Sequence, residues 1–500
     1  MVNPILLIAI PLGLAFSIPL FGFVSKKIAK FIPIVGMLFN LIVSIILISK
    51  VLREPIIVKL GGFPPPFCIN LVVGPIGILF SCLIALIGFL VSIYAIRYIG
   101  AKDKQRNRGQ EERYHMLYLL LLTGATGVVL TGDIFNLFVF YEILCISSYA
   151  LVAYLGDKPG VESASKYLVQ GSVGSSFVLI GIAFLYGQFG TLNMADIAQN
   201  IDSPTSVQLI LPLILMVTGF GVEATIFPLN AWLPDAHSSA PSTISAILSG
   251  IAIEIGIYAI ARVVFTLFGA QDFFLFLLLL GLLTLLVGEL SAFSQNNIKR
   301  MLAYSSAGQM GLILFALGVG TIEGIAGGLF QLITHVFSKA LLFLATGYMI
   351  YRTGSMEINS LQGIGRKMPL SCLAFTIGAF SLIGLPPFIG FPSKLMIVFS
   401  ALLKQNVLYT VFIVIVLIGT VIEGAYFFKV IQALYFKGLP AQKGINVKIQ
   451  EAPLAALIPM VILMALIIVI GVYPKIMTNI LNSAASEFLD RVAYIKLVLK

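Results

Sequence analysis

Charge is what this chain most lacks. Only 10% of its 500 residues are Asp, Glu, Lys or Arg, while 59% are hydrophobic, a balance that soluble globular domains do not carry. Apolar runs long enough to span a bilayer, about 20 residues each, recur from end to end. Cysteine is almost as scarce. Cys68, Cys82, Cys145 and Cys372 are scattered, with no CxxC pair and no histidine cluster beside them. That spacing argues against an iron–sulfur, zinc or haem site in this chain, and the four read as small packing residues. No nucleotide-binding motif is present. The net charge of +10 is not laid out as a basic stripe among aromatics, so nucleic acid is not an expected partner. The chain reads as an all-α polytopic membrane protein.

The first apolar run, Pro4 to Val24, is followed rather than preceded by Lys26, Lys27 and Lys30. It therefore reads as a transmembrane helix and not as a cleavable signal. Apolar length and the breaks at charge, Gly and Pro predict about fourteen spans: 4–24, 31–49, 75–99, 115–131, 134–155, 163–187, 207–228, 242–267, 272–293, 301–319, 322–350, 369–403, 407–436 and 453–474. The tail, 475–500, reads as an interfacial helix. Loops after odd spans are basic, with Lys30, Lys102, Arg108, Arg113, Lys299, Arg300, Arg352, Arg366, Lys437, Lys443 and Lys448. Loops after even spans carry Asp133, Asp196, Asp202, Asp272 and Glu323, with Lys50, Arg53, Lys59 and Lys404 as exceptions. The positive-inside rule then puts the odd loops in the cytoplasm and the N-terminus outside, in a cell (inner or plasma) membrane.

Two spans are broken by proline. The seventh runs into Pro228, Pro234 and Pro241, and the twelfth is interrupted by Pro386, Pro387 and Pro392. Proline removes a ladder donor, and irregular backbone at membrane depth is tolerated only inside protein or along a wet cavity. Paired broken helices are the mark of an inverted repeat. Each half also ends in an intramembrane Glu with a Tyr and a basic residue after it: Glu254, Tyr258 and Arg262, then Glu423, Tyr426 and Lys429. The expected organisation is an N-terminal group of three helices (1–114), a first five-helix repeat (115–268), a second, inverted one (269–437), and a final helix with the tail (438–500).

Six charges lie deep in apolar stretches: Glu142, Glu223, Glu254, Lys339, Lys394 and Glu423. Each costs at least ~2.5–3.5 kcal/mol at the centre of a bilayer, and such residues usually mark a route for ions or protons. A lone carboxyl held protonated by a neighbouring helix is the alternative, and a row of them favours one polar path. Desolvation disfavours the charged form of any such group, so buried acids and lysines exchange protons nearer neutral pH. His335 and Lys339 share a helix face at i and i+4. Lys394 follows the second break, where snorkelling to the interface is the competing account. His237 and Asp235, beside Pro228 and Pro234, are candidates for entry or gating, as is Pro386; an exposed loop histidine is the plainer reading of His237. Glu289 is expected near a helix end, and Trp232, the only tryptophan, as an interfacial anchor.

Five segments carry a resemblance: Asn136–Tyr149, Pro228–Gly250, Lys299–Gly311, Thr334–Gly347 and Gly384–Lys394. In them the chain resembles the antiporter-like subunits shared by respiratory NADH dehydrogenase, Mrp-type sodium/proton antiporters and membrane-bound hydrogenases. The resemblance implies fourteen helices, two inverted repeats and a midplane row of charges. It matches Glu142 to the fifth-helix glutamate, Lys339 to the eleventh-helix lysine and Lys394 to the twelfth-helix lysine. Two positions depart from it. Glu223, in Gly219-Phe-Gly-Val-Glu223-Ala224, stands where the family usually has lysine, and Glu254 where it has lysine or histidine. A first half built on Glu142, Glu223 and Glu254 would relay protons through neutral carboxyls, hold a hard cation such as Na⁺, or be an inactive channel.

Three functions follow as expectations. The first is a proton- or Na⁺-translocating subunit of a hydrogenase-like or related redox complex. The second is the D-type subunit of a standalone Mrp-type antiporter, and the third a structural subunit with a degenerate channel. No cofactor is expected in this chain. Iron–sulfur clusters, and a Ni–Fe centre if the complex is a hydrogenase, are expected in peripheral redox subunits. Other antiporter-like and small membrane subunits, and lipid, complete the expected partners.

Overall fold

The computed structural model describes residues 2–106, 110–201, 204, 206–438 and 449–500. Arg108, Asp202, Lys443 and Lys448, which carry part of the loop-charge argument, lie outside these residues, as do the side chains of Lys26 and Lys27. The order is α1 (Leu6–Val24), α2 (Ile32–Val51), β1 (Ile56–Lys59), β2 (Asn70–Val73), α3 (Pro75–Arg106), α4 (Glu111–Leu130), α5 (Ile134–Val152), α6 (Lys158–Phe189), α7 (Val207–Glu223) and α8 (Leu233–Ser239). There follow α9 (Ser242–Phe268), α10 (Phe274–Phe293), α11 (Ile298–Gly318), α12 (Ile322–Thr353), α13 (Pro369–Ile383), α14 (Gly390–Leu402), α15 (Val407–Phe436), α16 (Leu454–Val472), α17 (Lys475–Leu489) and α18 (Arg491–Leu499). Among the described residues, eleven helices are long and apolar enough to cross a membrane; α1, α7, α13 and α14 supply shorter apolar helices.

Burial sorts these helices into a centre and a rim. The apolar windows of α9 and α12 are wholly buried and that of α11 is 94% buried, whereas those of α6 and α16 are 39% buried. A charge inside the buried window of α9, α11 or α12 therefore has no route to water of its own and must find a partner within the protein. The rim helices turn Leu, Ile, Val and Phe outward, as a lipid-facing surface does.

Helix ends are set locally. Asp133 accepts the Asn136 amide at 2.7 Å to start α5, and Thr321 accepts the Gly324 amide at 3.0 Å to start α12, the ordinary N-cap arrangement. Both broken spans appear. Beyond α7 the chain is irregular up to α8, and α13 stops at Gly384, whose φ of 88° suits only glycine well. Carbonyls freed at the breaks are taken by side chains. Trp232 Nε1 donates to Val222 O at 2.9 Å, Gln170 Nε2 to Leu229 O at 2.5 Å, and Lys394 Nζ to Ile383 O at 3.3 Å. Just before Glu254, α9 carries a π-helical turn at Leu248–Ala252, a distortion that often marks functional positions.

The structure adds one element and corrects two expectations. Residues between the second and third spans pair as an antiparallel hairpin, Ile56 opposite Val73 through Lys59 opposite Asn70. The tail is two helices, not one, and α17 buries Leu481, Ala484, Ala485 and Phe488. Lys299, counted among the exposed loop charges, is 2% exposed; it donates to Ala240 O at 2.6 Å and so holds the end of α8.

Candidate functional site: a row of buried charges

The second half of the chain assembles a closed polar ring from four helices. Lys394 Nζ on α14 donates to Glu423 Oε2 on α15 at 2.7 Å. Gln309 Nε2 on α11 donates to the other oxygen of Glu423, also at 2.7 Å. Gln331 Nε2 on α12 donates to Gln309 Oε1 at 2.6 Å, and Ser393 Oγ, next to Lys394, donates to Gln331 Oε1 at 2.6 Å. The Lys394 side chain is 12% exposed and that of Glu423 1%, so the lysine is paired and not snorkelling. Glu289, on α10, is fully buried and accepts from Tyr426 Oη at 2.8 Å, leaving Oε1 without a partner. It lies within electrostatic range of Glu423, Lys394 and Lys339.

Lys339 is two turns beyond Gln331 on α12. Its ammonium donates to Leu302 O at 2.9 Å and to Ser305 Oγ at 2.8 Å, both on α11, so it stands over neutral oxygens with no carboxylate in contact. His335, one turn earlier, meets Glu254 across from α9, Nδ1 to Oε1 at 2.6 Å, with both side chains buried. One proton must occupy that contact. His335 Nε2 and Glu254 Oε2 have no partner, so each end of the pair is open to a further proton transfer. His237 is buried too, stacked on Phe343 at 4.8 Å and 11°, with both ring nitrogens unpartnered. It is not the exposed loop histidine expected, because α8 folds back into the protein. Both Lys339 and Lys299 lie within its electrostatic range.

The first half is arranged differently. Glu142 on α5 accepts a hydrogen bond from Ser175 on α6 and is half-buried. Glu223, fully buried at the end of α7, accepts from Tyr167 Oη at 2.6 Å and from Cys145 Sγ at 3.7 Å, so Cys145 is a partner of the site and not mere packing. Glu142 is within electrostatic range of Glu223, but Glu254 is not grouped with them. Gly256 faces Ala224 of the α7 end; Glu254, two residues back and so about 200° around the helix, points instead to α12. Among the described residues no cluster of three or more His, Cys, Asp and Glu could hold a metal ion, and Glu142, Glu223 and Glu254, where Na⁺ was one of three alternatives, do not converge.

The other candidates separate. Asp235 bridges Lys166 at 3.0 Å and Arg300 Nη1 at 2.8 Å, a partly exposed charge clamp. Pro228 lies in the irregular run beyond α7, where the neighbouring Phe227 amide donates to Thr284 of α10 at 3.2 Å. Pro386 lies between α13 and α14, in the break itself. Trp232 is no interfacial anchor: it is 1% exposed and stacks on Tyr167 at 3.7 Å and 2°. The sequence pattern alone did not single out Gln309, Gln331 and Ser305. The signal was two polar stripes, Gln331, His335 and Lys339 at successive i, i+4 steps of α12, and Ser305 and Gln309 at i, i+4 on α11.

A family model described as "NADH:quinone oxidoreductase/Mrp antiporter, TM" matches residues 131–422. The chain belongs to this family. The match begins at Thr131, before Glu142, and ends one residue short of Glu423, so it takes in five of the six buried charges. The chain is 33% identical to the N subunit of NADH-quinone oxidoreductase from Desulforudis audaxviator, over 96% of this chain and 98% of that protein. It is 32% identical to the D subunit of the Na(+)/H(+) antiporter from Alkalihalophilus pseudofirmus, over 95% of this chain and 94% of that one. Its fold matches a chain of the membrane-bound sulfane sulfur reductase, titled an archaeal respiratory membrane complex, with a TM-score of 0.90 and 38% identity over 99% of each chain. It is an antiporter-like, multi-pass membrane subunit.

Proposed function

We propose that this chain carries protons through the membrane arm of a respiratory redox complex, along the row from Glu142 and Glu223 through Glu254, His335 and Lys339 to Lys394 and Glu423. The observation that carries this reading is the run of unpartnered and shared-proton sites in the wholly buried centre: Glu254, His335 and His237 beside Lys339. Proton carriage suits it better than sodium, since the acids do not converge on one cation. The 38% identity to the sulfane sulfur reductase chain favours a redox complex of that or hydrogenase type. Iron–sulfur clusters, and Ni–Fe in a hydrogenase, would then reside in peripheral partners. Other antiporter-like and small membrane subunits would cover the exposed apolar flanks.

The repeat assignment belongs to the same proposal. Counting α13 with α14 as one interrupted crossing gives two five-span units, 115–268 and 269–437, the join falling at Gly269 after α9. Basic loops assign the N-terminus to the outside of the cell membrane.

The test is redox-driven proton uptake in vesicles holding the purified complex. Lys394→Ala is expected to abolish most of it while the subunits still assemble; unchanged pumping would leave a scaffold role as the better account. The second reading, the D-type subunit of a standalone Mrp-type antiporter, is favoured by the 32% identity over 95% of the chain. Cation/proton exchange by a preparation free of iron and nickel would establish it instead.

A further inference from the structure

A cavity of about 830 Å³ with a mixed polar and apolar lining lies apart from the charged row. Cations from three separated parts of the chain line it: Lys30 between α1 and α2, Arg97 late in α3, and Arg352 in the last turn of α12. One acid, Glu111 at the start of α4, lines it with them. Neither Lys30 nor Arg97 forms an ion pair among the described residues. Arg352 reaches the Glu451 carbonyl at 3.5 Å and lies over the Tyr351 ring, 5.8 Å from its centroid, and forms no ion pair among the described residues. The cavity thus holds more positive charge than its one acid neutralises.

Its rim is of another kind. Phe31 is 48% and Leu454 76% exposed, and both line the opening. The walls come from the ends of α2, α3, α4, α12 and α16, so the mouth sits where spanning helices leave the hydrocarbon. This is the end whose basic loops the positive-inside rule assigns to the cytoplasm, the leaflet richest in anionic lipid. Cations beside exposed apolar side chains fit an anionic amphiphile better than an acidic protein segment.

We propose that this cavity binds the phosphate headgroup of an anionic phospholipid. Lys30, Arg97 and Arg352 meet the phosphate, and the acyl chains run over Phe31 and Leu454.

The test uses the chain with its co-purifying subunits in mild detergent, following thermal unfolding against added phosphatidylglycerol, phosphatidylcholine or inorganic phosphate. Phosphatidylglycerol alone is expected to raise the Tm. Arg97 is exposed, so Arg97→Gln should fold, and it should weaken the apparent lipid affinity about five-fold; adding Arg352→Gln should bring the loss to about 25-fold, at about 1 kcal/mol per basic residue. Equal stabilisation by phosphatidylcholine would overturn the proposal, as would stabilisation by inorganic phosphate alone, which marks a free-anion site. Unchanged lipid affinity in the double variant would overturn it too. A photo-crosslinking residue at position 97 that captures another protein in place of lipid would reassign the cavity to a subunit contact.

Discussion

At the scale of residues, the second half is built on pairs whose members depend on each other. Lys394 and Glu423 are stable where they are because each answers the other's charge; removing one partner of a buried pair typically costs about 3–5 kcal/mol. Lys394→Ala should therefore lower the Tm, and Lys394→Ala with Glu423→Gln should recover part of the loss, a non-additivity that thermal unfolding of the two single variants and the double variant will read. Glu254→Gln keeps an oxygen for His335 but cannot carry the proton the two share. It should preserve assembly while slowing proton uptake about tenfold or more, within the range ascribed to positioned proton carriers. In the first half, Glu142→Gln should impair uptake, and Glu223→Lys should be tolerated, because Tyr167 Oη can accept from an ammonium that Glu142 faces; vesicle assays of each variant check both. The sequence displayed all six of these charges, since a charge breaks an apolar run visibly. It hid Gln309 and Gln331, which are uncharged and lie inside helices, and it misled on Trp232, whose stack on Tyr167 exists only because the irregular segment after α7 folds back.

At the scale of elements, the break positions were readable because proline and glycine announce them chemically. The hairpin of β1 and β2 was not, because a four-residue strand between two apolar helices leaves only Ile56, Ile57 and Val58 as signal. Close packing was equally invisible. A Cβ at Gly311 would lie 2.8 Å from the Leu285 Cα, and one at Gly281 would lie 3.0 Å from the Phe315 Cα, so α10 and α11 touch backbone to backbone, the small-residue contact common between membrane helices. Backbone cannot step aside. Gly311→Ala should destabilise by about 1–3 kcal/mol, seen as a lowered Tm, with Glu289 and the ring at Glu423 displaced as α10 moves off.

At the scale of the whole molecule, hydropathy marked out an all-helical protein that crosses the membrane many times, but the contacts between residues before and after 269 were not legible, because contacts distant in sequence leave no local trace. Those contacts are specific. Glu254 meets His335, the Phe227 amide meets Thr284, and Asp235 meets Arg300; each joins residues before 269 to residues after it. Mild-detergent purification should accordingly yield the chain as one cooperative unfolding unit, and a protease cut engineered at 269–271 should leave the fragments together. The wider consequence concerns how such a protein moves. Swinging one half against the other, as a rocking carrier does, would tear a shared proton, an amide hydrogen bond and a surface clamp at once. With those contacts kept, side-chain torsions are what is left to turn, so proton passage along the proposed row would be a switching of wires inside a fixed casing.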